Sequence, residues 1–540
     1  MRALFVFIAG LAVWLVFAPG TVLSQQPGGE PSDPVLVITR TPAEPDEPHS
    51  LAAAKHLLQR RKLDDALALY NELTSGAEAA SAYAGIARVR LHQENLADAL
   101  AAATKAVGLK ADSADAHAAL GEVLFRKGQI LLAQKEFLPF VKADTKEARS
   151  YLGMYRVLRA ASYYKSAKVM IDEAYAFDPE DPEIVANWTR SASIQDQIKT
   201  LEAELQDSTL DASRHARAMF QLSILRERLA TRRPCSMVSK SDSTTLTLEP
   251  LLYNTHTLTG YGLKVKMNGS ASRLQVDTGA SGILVERRVA EKAGLKRLED
   301  TKISGVGSEG LAAGYVAAVD NIQVGDLEFH DCTVTVIEKK TKLDIDGLIG
   351  ADVFSRFLIE LNFPEAKLKL SPLPPVPDEA PLPPALESIS PLAGNLHNRY
   401  VAPGMRDYTP VFRFGDKLMV ETWIKDSPSL LFLLDTGAFE DQISPSVAKA
   451  YTKVREDSDI KVTGLNGKVD KVYTADNAIL TFGHLRQVRH NMIAWDFTNL
   501  SRDIGTEVSG ILGFDMLRLL VVRIDYRDGL VDMVYNPHVR

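Results

Sequence analysis

Cysteine is scarce in this chain. Its 540 residues include two, Cys235 and Cys332. Two cysteines make no zinc site by themselves. The sequence leaves open whether they form one disulfide or remain two partly buried thiols. A dominant charge is also lacking. The net charge is −7, and no run of like charges forms a tail. That balance argues against a general nucleic-acid binder, which carries a basic excess or stripe. No H-E-x-x-H, G-x-S-x-G or closely spaced cysteine set occurs, so the usual marks of zinc peptidases and serine hydrolases are missing. Beyond the N-terminus no segment is apolar enough to span a bilayer. No metal or cofactor is expected.

Hydrophobic residues make up 46% and charged residues 24% of the chain, an ordinary globular composition. The length predicts three or four domains. Arg2 followed by the apolar stretch Ala3–Ala18 reads as an export signal, with Val22-Leu23-Ser24 as the cleavage site. Residues 1–24 are therefore expected to direct the protein to the periplasm or outside the cell. An uncleaved N-terminal membrane anchor is the alternative, and the apolar run is slightly short for one. Residues 25–47, rich in Pro, Glu, Gly and Gln, read as a flexible leader.

Residues 48–230 have helical periodicity and no strand-like runs. Ala66, Ala99, Ala133 and Ala167 sit 33, 34 and 34 residues apart in similar settings. A period of 34 with a small residue in the second helix resembles tetratricopeptide repeats, in which a small side chain lets paired helices approach closely. Leu120-Gly121 and Asp178-Pro179 fall where that pattern puts its small residue and closing proline. Residues 196–230 read as one more long helix. A concave face of such repeats offers a site for an extended peptide or a protein partner.

After Pro234 the pattern changes to short Val-, Ile-, Thr- and Leu-rich runs separated by glycine turns, which predict strands. Eight prolines within 371–391 interrupt it, and such a segment forms a stiff spacer. The expected architecture is multidomain α plus β. A helical-repeat solenoid precedes two all-β lobes, 245–372 and 405–540, with a proline-rich linker at 373–404.

The two β regions repeat one plan. Leu274-Gln-Val-Asp277-Thr278-Gly279-Ala280 answers Phe432-Leu-Leu-Asp435-Thr436-Gly437-Ala438. A short helical stretch follows each. A glycine turn comes next, Gly305-Val-Gly307 beginning 28 residues after Asp277 and Gly464-Leu-Asn-Gly467 beginning 29 after Asp435. The third match is Asp346-Gly-Leu-Ile-Gly350-Ala-Asp352 against Ser509-Gly-Ile-Leu-Gly513-Phe-Asp515. A single Asp-Thr-Gly is only good turn chemistry. Two copies in the same ordered setting point to paired carboxylates. Two carboxyls in contact cannot both ionise easily, so they share a proton, and one acts as base while the other acts as acid.

This region resembles the retropepsin-type aspartic peptidases, over about 260 residues in two lobes of one chain. The resemblance implies an aspartic endopeptidase acting on peptide or protein substrates, with Asp277 and Asp435 catalytic. It implies that Thr278 and Thr436 tie the two turns together and that Ala280 and Ala438 lie beside the substrate backbone. Gly279 and Gly437 permit close approach. Gly305, Gly307, Gly464 and Gly467 become flap tips. Gly305-Val-Gly307-Ser-Glu-Gly310 also fits G-x-G-x-x-G, but its β-rich setting is wrong for a dinucleotide site. Ser281 after the first motif and Phe439 after the second predict an asymmetric site. A non-catalytic peptide-binding scaffold is the rival reading, and pairing of each lobe with a second chain stays open.

Overall fold

The computed structural model describes residues 5–7, 13–15, 49–206, 219, 222–223, 225–226, 235–239, 241–252, 256–305, 311–338, 345–377, 397–456, 461–464, 467–469 and 471–535. Most of the expected export signal, the leader at 25–47, most of the helix expected over 196–230 and the centre of the proline-rich linker lie outside these. Among the described residues no helix is long and apolar enough to cross a membrane. The chain divides into two compact units, one of helices and one of sheets.

The helical unit contains ten helices between Leu51 and Leu205 among the described residues. Ser50, Asn95, Ser113 and Asp181 start four of them by accepting hydrogen bonds from backbone N–H groups of the first turn, which satisfies donors that a helix end leaves orphaned. Ala66, Ala99, Ala133 and Ala167 lie on the second helices of successive hairpins, and all four are buried. Small residues on the first helices do the same from the other side. Phe137 fills the space above Gly121 and Gly153, so that a Cβ at either would lie 2.5 Å from a ring carbon. Charged side chains link successive first helices. Arg88 bonds Asp115 at 2.6 Å and Glu122 at 3.0 Å. Arg149 bonds Asp181 at 2.8 Å and Glu183 at 2.5 Å. Residues 397–398 belong to this unit, because Asn398 accepts from Ser166 N and donates to Ser166 Oγ, both at 3.0 Å.

The β unit is built from two sheets of one topology. In the first lobe, Ser270–Asp277 runs parallel to Gly347–Gly350, which is antiparallel to Ile283–Glu286. In the second, Leu430–Leu434 runs parallel to Gly510–Leu512, which is antiparallel to Gln442–Ile443. A third sheet joins the lobes. Phe357–Asn362 of the first lobe pairs antiparallel with Leu520–Asp525 of the second, and Arg523 bonds Glu360 across that seam at 2.7 Å. The lobes thus pair within one chain. Their cores merge into a single buried cluster, in which Tyr261, Phe363 and Phe514 meet with ring centroids 5.7–6.0 Å apart. Cys235 and Cys332 are bridged, tying the strand Ser236–Met237 to Leu327–Ile337.

Candidate active site

Each Asp-Thr-Gly-Ala segment follows a central strand. Leu434 pairs with Leu512, and the Asp435 N–H continues the ladder to Leu512 O at 3.1 Å. The turn then folds back on its own carboxylate. Gly279 N and Ala280 N donate to Asp277 Oδ1 at 2.8 and 3.0 Å. Gly437 N and Ala438 N donate to Asp435 Oδ1 at 2.8 and 3.1 Å. Each carboxyl is thereby fixed through one oxygen.

The threonines lock the two turns together. Thr278 Oγ1 donates to Leu434 O at 2.8 Å and accepts from Thr436 N at 3.0 Å. Thr436 Oγ1 donates to Val276 O at 3.0 Å and accepts from Thr278 N at 3.1 Å. These four bonds cross between lobes and bring Asp277 and Asp435 face to face. Gly279 packs directly on the opposite carboxyl, where a Cβ would sit 2.5 Å from Asp435 Oδ1. This close approach requires glycine.

Both aspartates have 0% exposure. Their Oδ2 atoms have no protein partner. Burial, then the charge of Asp435 and a hydrogen bond to it, hold the Asp277 carboxyl well above the usual carboxylate range. Burial raises Asp435 to about 6, against the pull of its bonds from Asp277, Gly437 and Ala438 and the charge of Lys417. A pair of this kind retains a proton that isolated carboxylates would release.

Further polar groups lie close to the pair. Lys417 Nζ donates to Ser281 Oγ at 2.8 Å. Asp352 accepts the Gly282 N–H at 3.0 Å and is raised to about 7 by burial and then by Asp416. The hydroxyl of fully buried Tyr526 and Asp416 Oδ1 have no protein partner. Sequence reasoning missed Lys417 and Asp416, and quoted Asp352 and Tyr526 only as parts of matched segments. Gly415-Asp416-Lys417 reads in sequence as an ordinary solvated hairpin turn, and nothing local signals that its lysine points inward.

In the second lobe Asp441 takes the role of an anchor. It accepts the Gly513 N–H at 2.7 Å and pairs with Arg489 at 2.5 Å, which also reaches Asp515 at 3.2 Å. Of the expected flap tips, Gly305 follows the strand Lys296–Ser304, which pairs with Ala312–Val324. Gly307 lies outside the described residues. Gly464 pairs with Gly467 in a tight hairpin.

Residues 263–353 match the aspartyl protease family. The chain is 30% identical over 147 residues to the UBA domain-containing protein Mud1 of Schizosaccharomyces pombe, covering 27% of this chain and 43% of that protein. It is 31% identical over 108 residues to DNA damage-inducible protein 1 of Chaetomium globosum, covering 20% and 23%. With the Saccharomyces cerevisiae protein of the same name it shares 29% over 111 residues, covering 20% and 25%. The chain thus spans less than half the length of these curated relatives. An aspartic proteinase from Irpex lacteus is a structural neighbour with TM-score 0.35 and 14% identity, over 55% of this chain and 98% of that one. By the family match and its fold, the chain carries a retropepsin-like aspartyl protease domain after its helical repeats.

Proposed function

We propose that the β unit is an aspartic endopeptidase. The observation that carries this is the pair itself: two fully buried carboxyls, each held through Oδ1 by two backbone N–H groups, each with Oδ2 unpartnered. In the reaction a water lies between the carboxyls. The ionised member takes a proton as the water attacks the peptide carbonyl carbon. The protonated member donates to the carbonyl oxygen. Collapse of the tetrahedral adduct breaks the C–N bond: the leaving nitrogen takes a proton from one member of the pair while a hydroxyl of the adduct returns its proton to the other, which restores the singly protonated pair. Fixed Oδ1 anchoring keeps both groups oriented, so little reorganisation accompanies the proton transfers. The hairpin at Gly464–Gly467 acts as a lid over the site.

Burial raises both carboxyls, and the two titrate as one coupled pair, so the pair keeps a shared proton to higher pH than isolated carboxylates do. Export to the periplasm or medium is also our proposal. The N-terminal apolar stretch and the Cys235–Cys332 bridge support it. The helical unit serves as a docking element for a protein partner or for the substrate. Its inner charged side chains are already engaged with one another, as Arg88 and Arg149 illustrate, so a partner competes with or covers that network.

The test is cleavage of a mixed peptide library from pH 4 to 8 by wild type, Asp277→Asn and Asp435→Asn. Wild type is expected to cut and both variants to be silent. A wild type that cuts nothing, or a variant that keeps full activity, ends the shared-proton mechanism. Cell fractionation with a periplasmic marker tests export, and recovery of the full chain in the cytosol overturns it.

A further inference from the structure

Lys417 is 2% exposed, and its ammonium reaches from the second lobe to the turn that carries Asp277. It bonds Ser281, four residues beyond Asp277. We propose that this ammonium is the counter-charge of the Asp277–Asp435 pair, a positioning residue that sets the pH at which the pair holds one proton and makes the two lobes unequal. The proposal rests on the peptidase reading for its consequence but not for its measurement.

The first argument is charge. A pair with one shared proton carries one negative charge with no exposure to water. A buried charge is costly unless an opposite charge compensates it. The ammonium of Lys417 is equally buried and has a neutral hydroxyl as its hydrogen-bond partner. Asp416 and Asp352 come first among the charges that hold this ammonium up and the pair comes after them, while the ammonium in turn offsets the charge of the pair.

The second argument is asymmetry. Met419 pairs with Leu433, and Gly262 pairs with Gln275. Leu433 and Gln275 each precede their aspartate by two residues. Lys417 and Gly260 each precede those paired residues by two, so the position of Lys417 is held by glycine in the first lobe. The acceptor is asymmetric too, because Phe439 stands in the second lobe where Ser281 stands in the first. One lobe supplies the cation and the other receives it, and the reverse contact has neither partner.

Several groups face this site. Asp277 and Asp435 end the two central strands, Asp352 lies on the short helix Ala351–Phe354, and Asp416 precedes the lysine. Tyr526 follows the seam strand, and Arg413 donates to its carbonyl oxygen. Burial pulls the Lys417 ammonium down, while Asp416, Asp352, Asp277 and Asp435 hold it up. Its charge in turn pulls both members of the pair down. The sign follows. Removing the positive charge lets the pair keep its protons to higher pH, and the singly protonated window moves upward.

The experiment is a titration of the full chain carrying carboxyl-labelled aspartate, followed by nuclear magnetic resonance. Wild type is compared with Lys417→Met, Lys417→Arg and Ser281→Ala. The pH profile of peptide cleavage is recorded beside it. Lys417→Met is expected to move the titration of the pair, and both limbs of the profile, upward by about one pH unit or more, the size of effect a nearby opposite charge has on a carboxylate. Lys417→Arg restores the wild-type position. Ser281→Ala keeps the charge and moves the titration less than Lys417→Met does. Where Lys417→Met fails to fold, Lys417→Gln, whose amide can still meet Ser281, carries the same expectation. A pair that titrates in the neutral variant where it does in wild type overturns the proposal, even if cleavage is impaired. A wild type that cuts no peptide, with a titration that still moves, overturns the peptidase reading and leaves this one standing.

Discussion

Replacing Thr278 by valine removes a hydroxyl at constant shape, and the consequences can be counted. Thr278 Oγ1 donates to Leu434 O and accepts from Thr436 N. Valine leaves both of those groups unpaired. Thr278 is 0% exposed, so water cannot replace the lost partner without opening the lobe interface. A buried polar group left unsatisfied costs about 1–3 kcal/mol, so two cost about 2–6 kcal/mol. The assay is urea unfolding of the β unit in the full chain, followed by tryptophan fluorescence, with the midpoint compared at constant slope. Thr436→Val orphans a different pair, Val276 O and Thr278 N. The two sets share no atom. The double variant is therefore expected to lose the sum of the single losses, although residues in contact usually couple. Thr278→Ser retains both bonds and stays near wild type. A loss below about 1 kcal/mol for Thr278→Val, half the smallest value from this count, refutes the reasoning.

Gly279→Ala places a methyl against the Asp435 carboxyl; it is expected to fold, shown by unchanged circular dichroism, and to cut peptide at least about a hundredfold more slowly, because a misplacement near 1 Å has that effect. Reducing or replacing Cys235 and Cys332 opens a link with a sequence separation of 97, and by loop entropy the β unit loses about 4–5 kcal/mol in urea unfolding. Gly121→Ala overlaps the Phe137 ring; overpacking costs about 1–3 kcal/mol, against about 1 kcal/mol gained in helix propensity, so the helical unit melts at lower temperature. His92 is lowered to about 4, by burial first and against the pull of Glu183. An unfolded chain binds its proton near 6.5, so the helical unit loses stability as pH falls from about 6.5 to about 4. His92→Gln flattens that slope in chemical unfolding followed at 222 nm, and an unchanged slope refutes the assignment.

What could be read from sequence depended on whether a residue's role was local or relational. The 34-residue period was legible because Ala66, Ala99, Ala133 and Ala167 each answer one local demand, the close approach of two helices. The charges within the same helices were not. Arg88 and Glu122 look like solvated face residues, yet the Glu122 side chain is only 5% exposed and meets arginines from two other helices. The β duplication was legible because each Asp-Thr-Gly-Ala is followed by the same sequence of elements. The strands Phe357–Asn362 and Leu520–Asp525 come next after the third matched segment of each lobe, but the duplication did not show that they pair with each other. Symmetry supplies the reason. Two equivalent strands next to a two-fold axis are the ones that meet across it, and that shared sheet fixes the lobes within one chain. The departure from symmetry was half legible. Ser281 against Phe439 marked the site as unequal, whereas the lysine that bonds Ser281, Lys417, lies 136 residues away. A lysine in a Gly-Asp-Lys turn carries no sequence mark of burial. Its burial appears only when the second lobe pairs with the first and brings the ammonium to Ser281, four residues beyond Asp277.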